Sequence, residues 1–367
     1  MNHNWIAPNP VEEELFWHFV WARQECFYNR KVLGLPREQW TTDEVIARAR
    51  FTNAYRELDR GTQFGVEHVL ERHAHEGPEL AVAHSMTYRW FNRIATYIDV
   101  EPLVGLAYEG DREAFEVIAQ LLDERLDAKQ KVFTGAYMCS YAPAWGHPTK
   151  GWDYAESLRY MYQLVRERFV PLMESPQGSL RQLYAVLESS HGFGPFLAYQ
   201  CCLDLMYPLV ALGGGRVARH ADVDSWTQPG PGCTKGLLLL GVKGTDSVQV
   251  RALRALHAKH VDVLHPLGFR WLRTHYGSSL QLSLGNIENC FCEYSKWRRM
   301  VDGGHVKTLW SEPAAWEWQP GSVTLPYYGN WYEPETGRLV ASKWAPEAED
   351  EVHEHGDAMP SHGEQAA

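Results

Sequence analysis

No two of the seven cysteines (26, 139, 201, 202, 233, 290 and 292) form a Cys-x-x-Cys pair or a zinc-ligand spacing. That excludes a disulfide framework and a zinc-finger type of site, and it predicts reduced thiols. His73, His75 and His84 stand close together, but no matching partner set accompanies them, so no metal site is expected. A signal peptide and an apolar run of transmembrane length are both missing, which predicts a soluble intracellular protein with no membrane partner. Alternating strand-like patterns are nearly absent, and no fixed-period repeat appears. Lys and Arg are missing from residue 345 onward, where Glu347, Glu349, Asp350, Glu351, Glu354, Asp357 and Glu364 lie. Setting those seven acids aside reduces the net charge from −11 to −4, so the body is near neutral and can still hold local basic surfaces.

What is present is apolar and aromatic. Apolar residues make up 45% of the chain, enough for a large core, and 15 Trp, 18 Tyr and 13 Phe supply core filling or base-stacking surface. Three regions follow: a helical body over 1–302, a Trp/Tyr-rich strap over 303–344, and a disordered acidic tail over 345–367. The strap reads equally as a small β-hairpin or an irregular segment.

Within the body, helices are predicted over Val11–Arg30, Leu80–Val100, Arg112–Lys129, Tyr154–Met173, Ser179–Ser190, Asp246–Leu264 and Leu284–Met300. A capping box, Thr41-x-x-Glu44, opens another that is expected to run to about Leu58. Two glycine turns open further helices. Gly192, Gly194 and Pro195 precede one, and Gly230-Pro231-Gly232-Cys233-Thr234-Lys235-Gly236 precedes the other. Free backbone N–H groups at such helix starts suit phosphate, although a single turn of this kind often serves structure alone.

Polar residues occupy apparent packing faces. At helical spacing Ile46, Ala49, Asn53, Arg56 and Arg60 share a face, with Gln63 close behind. Arg89, Asn92, Arg93 and Thr96 form a second such face. These groups either satisfy one another internally or wall an anion-binding cleft. Asp204, one turn after Gln200 on an apolar helix, is a candidate general base or the partner of a core arginine. Asp222 and Asp224 lie in a polar loop before the second glycine turn. Glu293, Lys296 and Arg299 form an ordinary charge ladder, and Glu288 is in phase with Cys292.

Segments Ala49–Gln63, Tyr88–Arg93, Gly192–Asp204, Gly230–Gly236 and Asn286–Arg298 occur in an order that resembles the α-glutamyl/putrescinyl-thymine pyrophosphorylases. These amino-acid:DNA transferases of phage thymine hypermodification are related to the helical domain of 5-hydroxymethyluracil DNA kinases. The resemblance spans roughly residues 10–300. It implies an all-α body akin to helix–hairpin–helix DNA glycosylases. The implied reaction replaces the pyrophosphate of 5-(pyrophosphoryloxymethyl)uracil in duplex DNA with an amine from an amino acid or putrescine. By that resemblance, Gly192, Gly194, Gly230, Gly232 and Lys235 hold phosphate. Arg56, Asp59, Arg60, Gln63, Arg89, Asn92, Arg93 and Gln200 line the pocket, and Asp204, Asp224 and Asp59 are the candidate catalytic carboxylates. The base is expected to be flipped out of the duplex. No cofactor is required, although phosphate chemistry often recruits Mg2+. The setting implied is the cytoplasm of a phage-infected bacterium. Two other readings stand beside it: a DNA glycosylase and a non-catalytic DNA-binding module. Glycosylases of that class carry a catalytic Asp about eighteen residues after the turn, where this chain has Leu212.

Overall fold

Six helix starts in this chain are set by short polar side chains. Asn9, Asp43, Asp111, Thr149, Ser179 and Ser283 each accept a backbone N–H from the first turn of the helix that follows. The computed structural model describes residues 7–134, 146–190, 192–206, 222–273, 279–305, 330–332 and 339–341. Its helices are α1 (Pro10–Phe27), α2 (Glu44–Arg48), α3 (Arg60–Phe64), α4 (Glu71–His73), α5 (Pro78–Phe91), α6 (Ile94–Tyr108) and α7 (Arg112–Asp127). After them come α8 (Lys150–Leu164), α9 (Val170–Glu174), α10 (Leu180–Glu188), α11 (Pro195–Met206), α12 (Pro231–Leu239), α13 (Asp246–Leu264) and α14 (Leu284–Val301). Among the described residues the body is all-α apart from one antiparallel ribbon, β1 (Leu272–Arg273) with β2 (Ser279–Leu280), and the Trp-rich strap holds a second, β3 (Asn330–Tyr332) with β4 (Leu339–Ala341). The rest of the Trp-rich strap and the whole acidic tail lie outside the described residues.

A small apolar cluster gathers Val69, Tyr88, Ile94 and Tyr97, and two large ones make up most of the described core. One gathers residues of the middle of the chain, from α5 through α11, around Trp90, Phe91, Tyr162, Phe169 and Tyr199. The other joins the two ends of the body, packing α1 and residues 45–58 against α12, α13 and α14. Phe16 stacks on Phe291 at 3.8 Å, and Tyr294 meets Phe16 edge-on at 5.5 Å. α12 lies so close to α14 that a Cβ on Gly232 would stand 2.2 Å from Cys292 Sγ. One on Gly236 would stand 2.4 Å from the Phe291 carbonyl oxygen. Those two glycines are there for helix contact, spaced one turn apart.

Two predicted helices are broken. The helix expected to reach Leu58 stops at Arg48, and Ala49 is extended, with φ −111° and ψ 141°. Thr52 and Asn53 supply the reason, because their hydrogen bonds go to α1, to α14 and to Asp59 instead of to a helical ladder. The polar face drawn through Ile46, Ala49, Asn53, Arg56 and Arg60 therefore does not exist as one helix face. The helix expected over Leu80–Val100 divides at Asn92, whose φ of 45° places it in the left-handed region. Arg89 and Asn92 end α5, while Arg93 caps α6.

Candidate functional site

The strand-like segment between α2 and α3 is held from both sides. Arg23 of α1 donates to the Thr52 carbonyl oxygen at 3.0 Å and to Cys290 Sγ at 2.7 Å. From α14, Glu293 accepts the Thr52 N–H at 3.3 Å, and the Asn289 amide donates to Thr52 Oγ1 at 3.0 Å. A short 3-10 turn, Arg56–Leu58, follows and delivers Arg56 into the interior.

Arg56 is the hub of the site. It is 7% exposed, and its guanidinium donates to Gln200 Oε1 at 2.6 Å and to Asn289 Oδ1 at 3.0 Å. Asp59 lies 3.5 Å from its Nε, and its backbone N–H donates to Asn286 Oδ1 at 3.0 Å. These bonds join α11 of one cluster to α14 of the other through one side chain. Beside the hub, Arg89 forms a two-pronged pair with Asp204 at 2.5 and 2.8 Å, both groups buried. Arg89 also donates to Asn92 at 2.9 Å, and Asn92 donates to Thr134.

Burial raises the pKa of four carboxyls in this interior. Glu57 is pushed up to about 7, chiefly by burial; the Asn286 amide reaches its Oε1 at 3.4 Å, and its Oε2 has no hydrogen-bond partner. Glu288 is likewise pushed up to about 7 by burial, against the pull of the Gly230 N–H it accepts at 2.9 Å. Asp59 and Asp204 are also raised by burial, with Arg56 and Arg89 respectively opposing most strongly. Glu57 and Glu288 therefore stand ready to exchange a proton near neutral pH.

A cluster of cations includes Arg50 and Arg60 of the same segment. Lys31 is pushed down to about 8 by burial and then by the like charges of Arg30, Arg50 and Arg60. Arg30 and Arg60 are each lowered to about 10, again by burial and by Arg50. Of these cations Arg30 alone, with Arg23, Phe51, Thr52 and Asn53, lines a small, water-sized pocket beside the segment. Cations that depress one another in a partly buried cluster are stabilised by an anion placed among them.

Arg56, Asp59 and Gln200 thus meet in one group, with Arg89, Asn92 and Asp204 beside it. Arg60 belongs to the cationic cluster. Gln63 is 3% exposed, one turn beyond Asp59, and neither its amide oxygen nor its nitrogen has a hydrogen-bond partner. Arg93 is half-buried where it precedes α6. Gly192 has a φ of 85°, and Gly194 has open space where a Cβ would project, directly before α11. At the second turn the Gly230 N–H is already bonded to Glu288, Gly232 faces Cys292, and Lys235 is exposed on α12. Asp224 lies 3.9 Å from His257 of α13, and Asp222 caps α10 by accepting the N–H groups of Leu180 and Arg181. The sequence singles out none of Glu57, Arg30, Lys31 and Arg50, and it shows Glu288 only as in phase with Cys292. The Arg30-Lys31 pair was the one visible signal, because nothing local marks a carboxyl that will be buried.

All of these groups lie within the region that similarity identifies. The profile of the family described as 5-hmdU DNA kinase, helical domain, matches residues 12–305. A 5-hmdU DNA kinase of Bacillus phage SP10 is 24% identical over 289 residues, covering 75% of this chain and 43% of the relative. The chain therefore spans less than half the length of that curated relative. No solved structure matches. The match across most of the chain shows that this protein belongs to the family of the 5-hmdU DNA kinase helical domain.

Proposed function

We propose that the protein is a transferase of phage thymine hypermodification, exchanging the pyrophosphate of 5-(pyrophosphoryloxymethyl)uracil in DNA for an amine. The observation that carries this reading is that residues 49–60 hold Glu57, whose pKa is pushed up to about 7 by burial, in one segment with Arg50 and Arg60, two of a cluster of four cations.

The chemistry needs both. The amine nitrogen attacks the CH2 on ring carbon 5, the C–O bond to pyrophosphate breaks, and pyrophosphate leaves with the bonding electrons. Ring electrons assist that departure. Arg30, Lys31, Arg50 and Arg60 neutralise the charge that develops on the leaving group. An amine of pKa about 8 to 10.4 costs roughly 1.4 to 4.6 kcal/mol to deprotonate at pH 7. Glu57, whose Oε2 has no partner, accepts that proton; Glu288 is the second candidate, and Asp59 and Asp204 hold Arg56 and Arg89 in place. The open glycine turn before α11 is a further phosphate contact.

The relative's name raises a second reading, direct phosphorylation of 5-hydroxymethyluracil in DNA. One experiment separates the readings. DNA containing 5-hydroxymethyluracil is treated with a 5-hmdU DNA kinase and ATP, then with this protein and a panel of amino acids and putrescine. Mass spectrometry of the digested nucleosides is expected to show an amine in place of the oxygen ester. Abasic sites would instead identify a glycosylase. ATP-dependent phosphorylation by this chain alone would identify a kinase, and an unchanged nucleoside that stays bound would identify a DNA-binding module.

A further inference from the structure

A second polar cluster lies behind α5, apart from the groups used above. His73 ends α4, Glu76 closes the 3-10 turn Ala74–Glu76, and His84 stands on α5. One ligand atom from each of the three lies within 4.8 Å of the others. His73 Nδ1 is 2.9 Å from Glu76 Oε1, and His84 Nε2 is 3.9 Å from Glu76 Oε2. Two ligands on a tetrahedral zinc, each about 2.0 to 2.2 Å from it, stand roughly 3.4 Å apart, so these separations bracket the required one.

The outer partners are also those of a metal site. His73 turns its other nitrogen, Nε2, to Glu101 Oε1 at 3.0 Å, and His84 turns Nδ1 to the Tyr97 hydroxyl at 2.9 Å. An ion that displaces the proton His73 Nδ1 shares with Glu76, with the ring protons kept on the outward nitrogens, has a lone pair of each imidazole available to it. Metal-binding histidines are held in the same way, by a carboxylate or other acceptor on the far nitrogen. Arg72, 3.2 Å from Glu101, balances the second carboxylate. His75 is exposed and 3.8 Å from Glu76. Both histidines are buried while Glu76 is partly exposed, giving an ion a way in and room for water as a fourth ligand.

We propose that His73, Glu76 and His84 bind one divalent transition-metal ion of the zinc class. The ion splays the two imidazoles, now stacked at 3.5 Å and 7°, so that their lone pairs converge. The site abuts the helix contacts: Tyr97 packs on Tyr88 at 5.6 Å, and the Tyr88 hydroxyl donates to the Gly61 carbonyl oxygen of α3. An ion here ties α4, α5 and α6 together beneath the helix that carries Arg60.

The test is a Co2+ titration of the full chain after treatment with EDTA. One equivalent is expected to give the strong visible absorption of a four-coordinate site, abolished by competing Zn2+. Glu76→Gln and His73→Gln should remove it, and Glu101→Gln, a positioning residue, should weaken binding by about 10- to 100-fold. His75→Ala should leave the titration unchanged. Glu76 is partly exposed, so its variant is expected to keep the far-ultraviolet circular dichroism of the parent and to report on binding alone. Absence of a one-equivalent signal, its persistence in Glu76→Gln, or its loss in His75→Ala would each overturn the proposal.

Discussion

Arg56 shows how far a single residue's role can be read before folding. Its proximity to Asp59 is a matter of spacing, but its bonds to Gln200, Asn286 and Asn289 span sequence separations of 144 to 233 residues. Of the two meanings its polar neighbourhood allowed, an internal network or an anion cleft, Arg56 and Arg89 take the first. Arg60 sits among cations. The two arginine classes should respond differently to truncation. Arg60→Ala is expected to lower turnover by about 10²- to 10³-fold, the size of losing one donor to a developing oxyanion. Duplex affinity should change only a few-fold, as measured by single-turnover kinetics beside equilibrium DNA binding. Glu57 carries a pH signature with a definite sign. Its pKa is about 7 in the folded chain against an ordinary value of 4.5, so the folded state favours the proton. The corresponding stability is fully present below about pH 4.5 and is lost as pH rises through about 7. Glu57→Gln should therefore raise the melting temperature relative to the parent at pH 8 more than at pH 5. The transfer rate of the parent should rise through about pH 7, and the variant should lose that rise.

At the scale of elements, legibility followed locality. Ser179 capping Gln182, and helices opening directly after Gly194 and Gly230, are set by neighbouring residues and were readable. The breaks at Ala49 and Asn92 were not, because periodicity continues through both. At Ala49 the cause is long-range: Thr52 and Asn53 exchange helical bonds for contacts with α1, α14 and Asp59. At Asn92 it is one left-handed residue whose side chain also bonds Arg89 and Thr134. These two contributions can be separated. Asn92→Ala should destabilise more than Asn92→Gly by about 1 kcal/mol, the cost of the left-handed backbone to a residue with a Cβ, in chemical denaturation. Gly236 is a second test of packing between elements. Its added Cβ would meet Phe291 backbone, which cannot swing aside, so Gly236→Ala should cost about 1 to 3 kcal/mol by the same measurement.

At the scale of the whole molecule, the two ends of the body close on each other and leave the middle as a second cluster, so the site is assembled across a topological seam. That closure explains why the seam's shared environment is not legible in the sequence: Glu57 and Glu288 are 231 positions apart and come to share Arg56 as a neighbour only after folding. It is also compatible with the proposed anionic substrate despite a net charge of −11, since four cations are concentrated around one segment. The most direct measurement of the central claim is the stoichiometry of a single turnover on pyrophosphorylated 5-hydroxymethyluracil DNA with a reactive amine. One inorganic pyrophosphate should appear for each new aminated nucleoside, with neither product when the amine is omitted. Pyrophosphate released at the same rate without an amine, or release accompanied by base loss from the DNA, would contradict it.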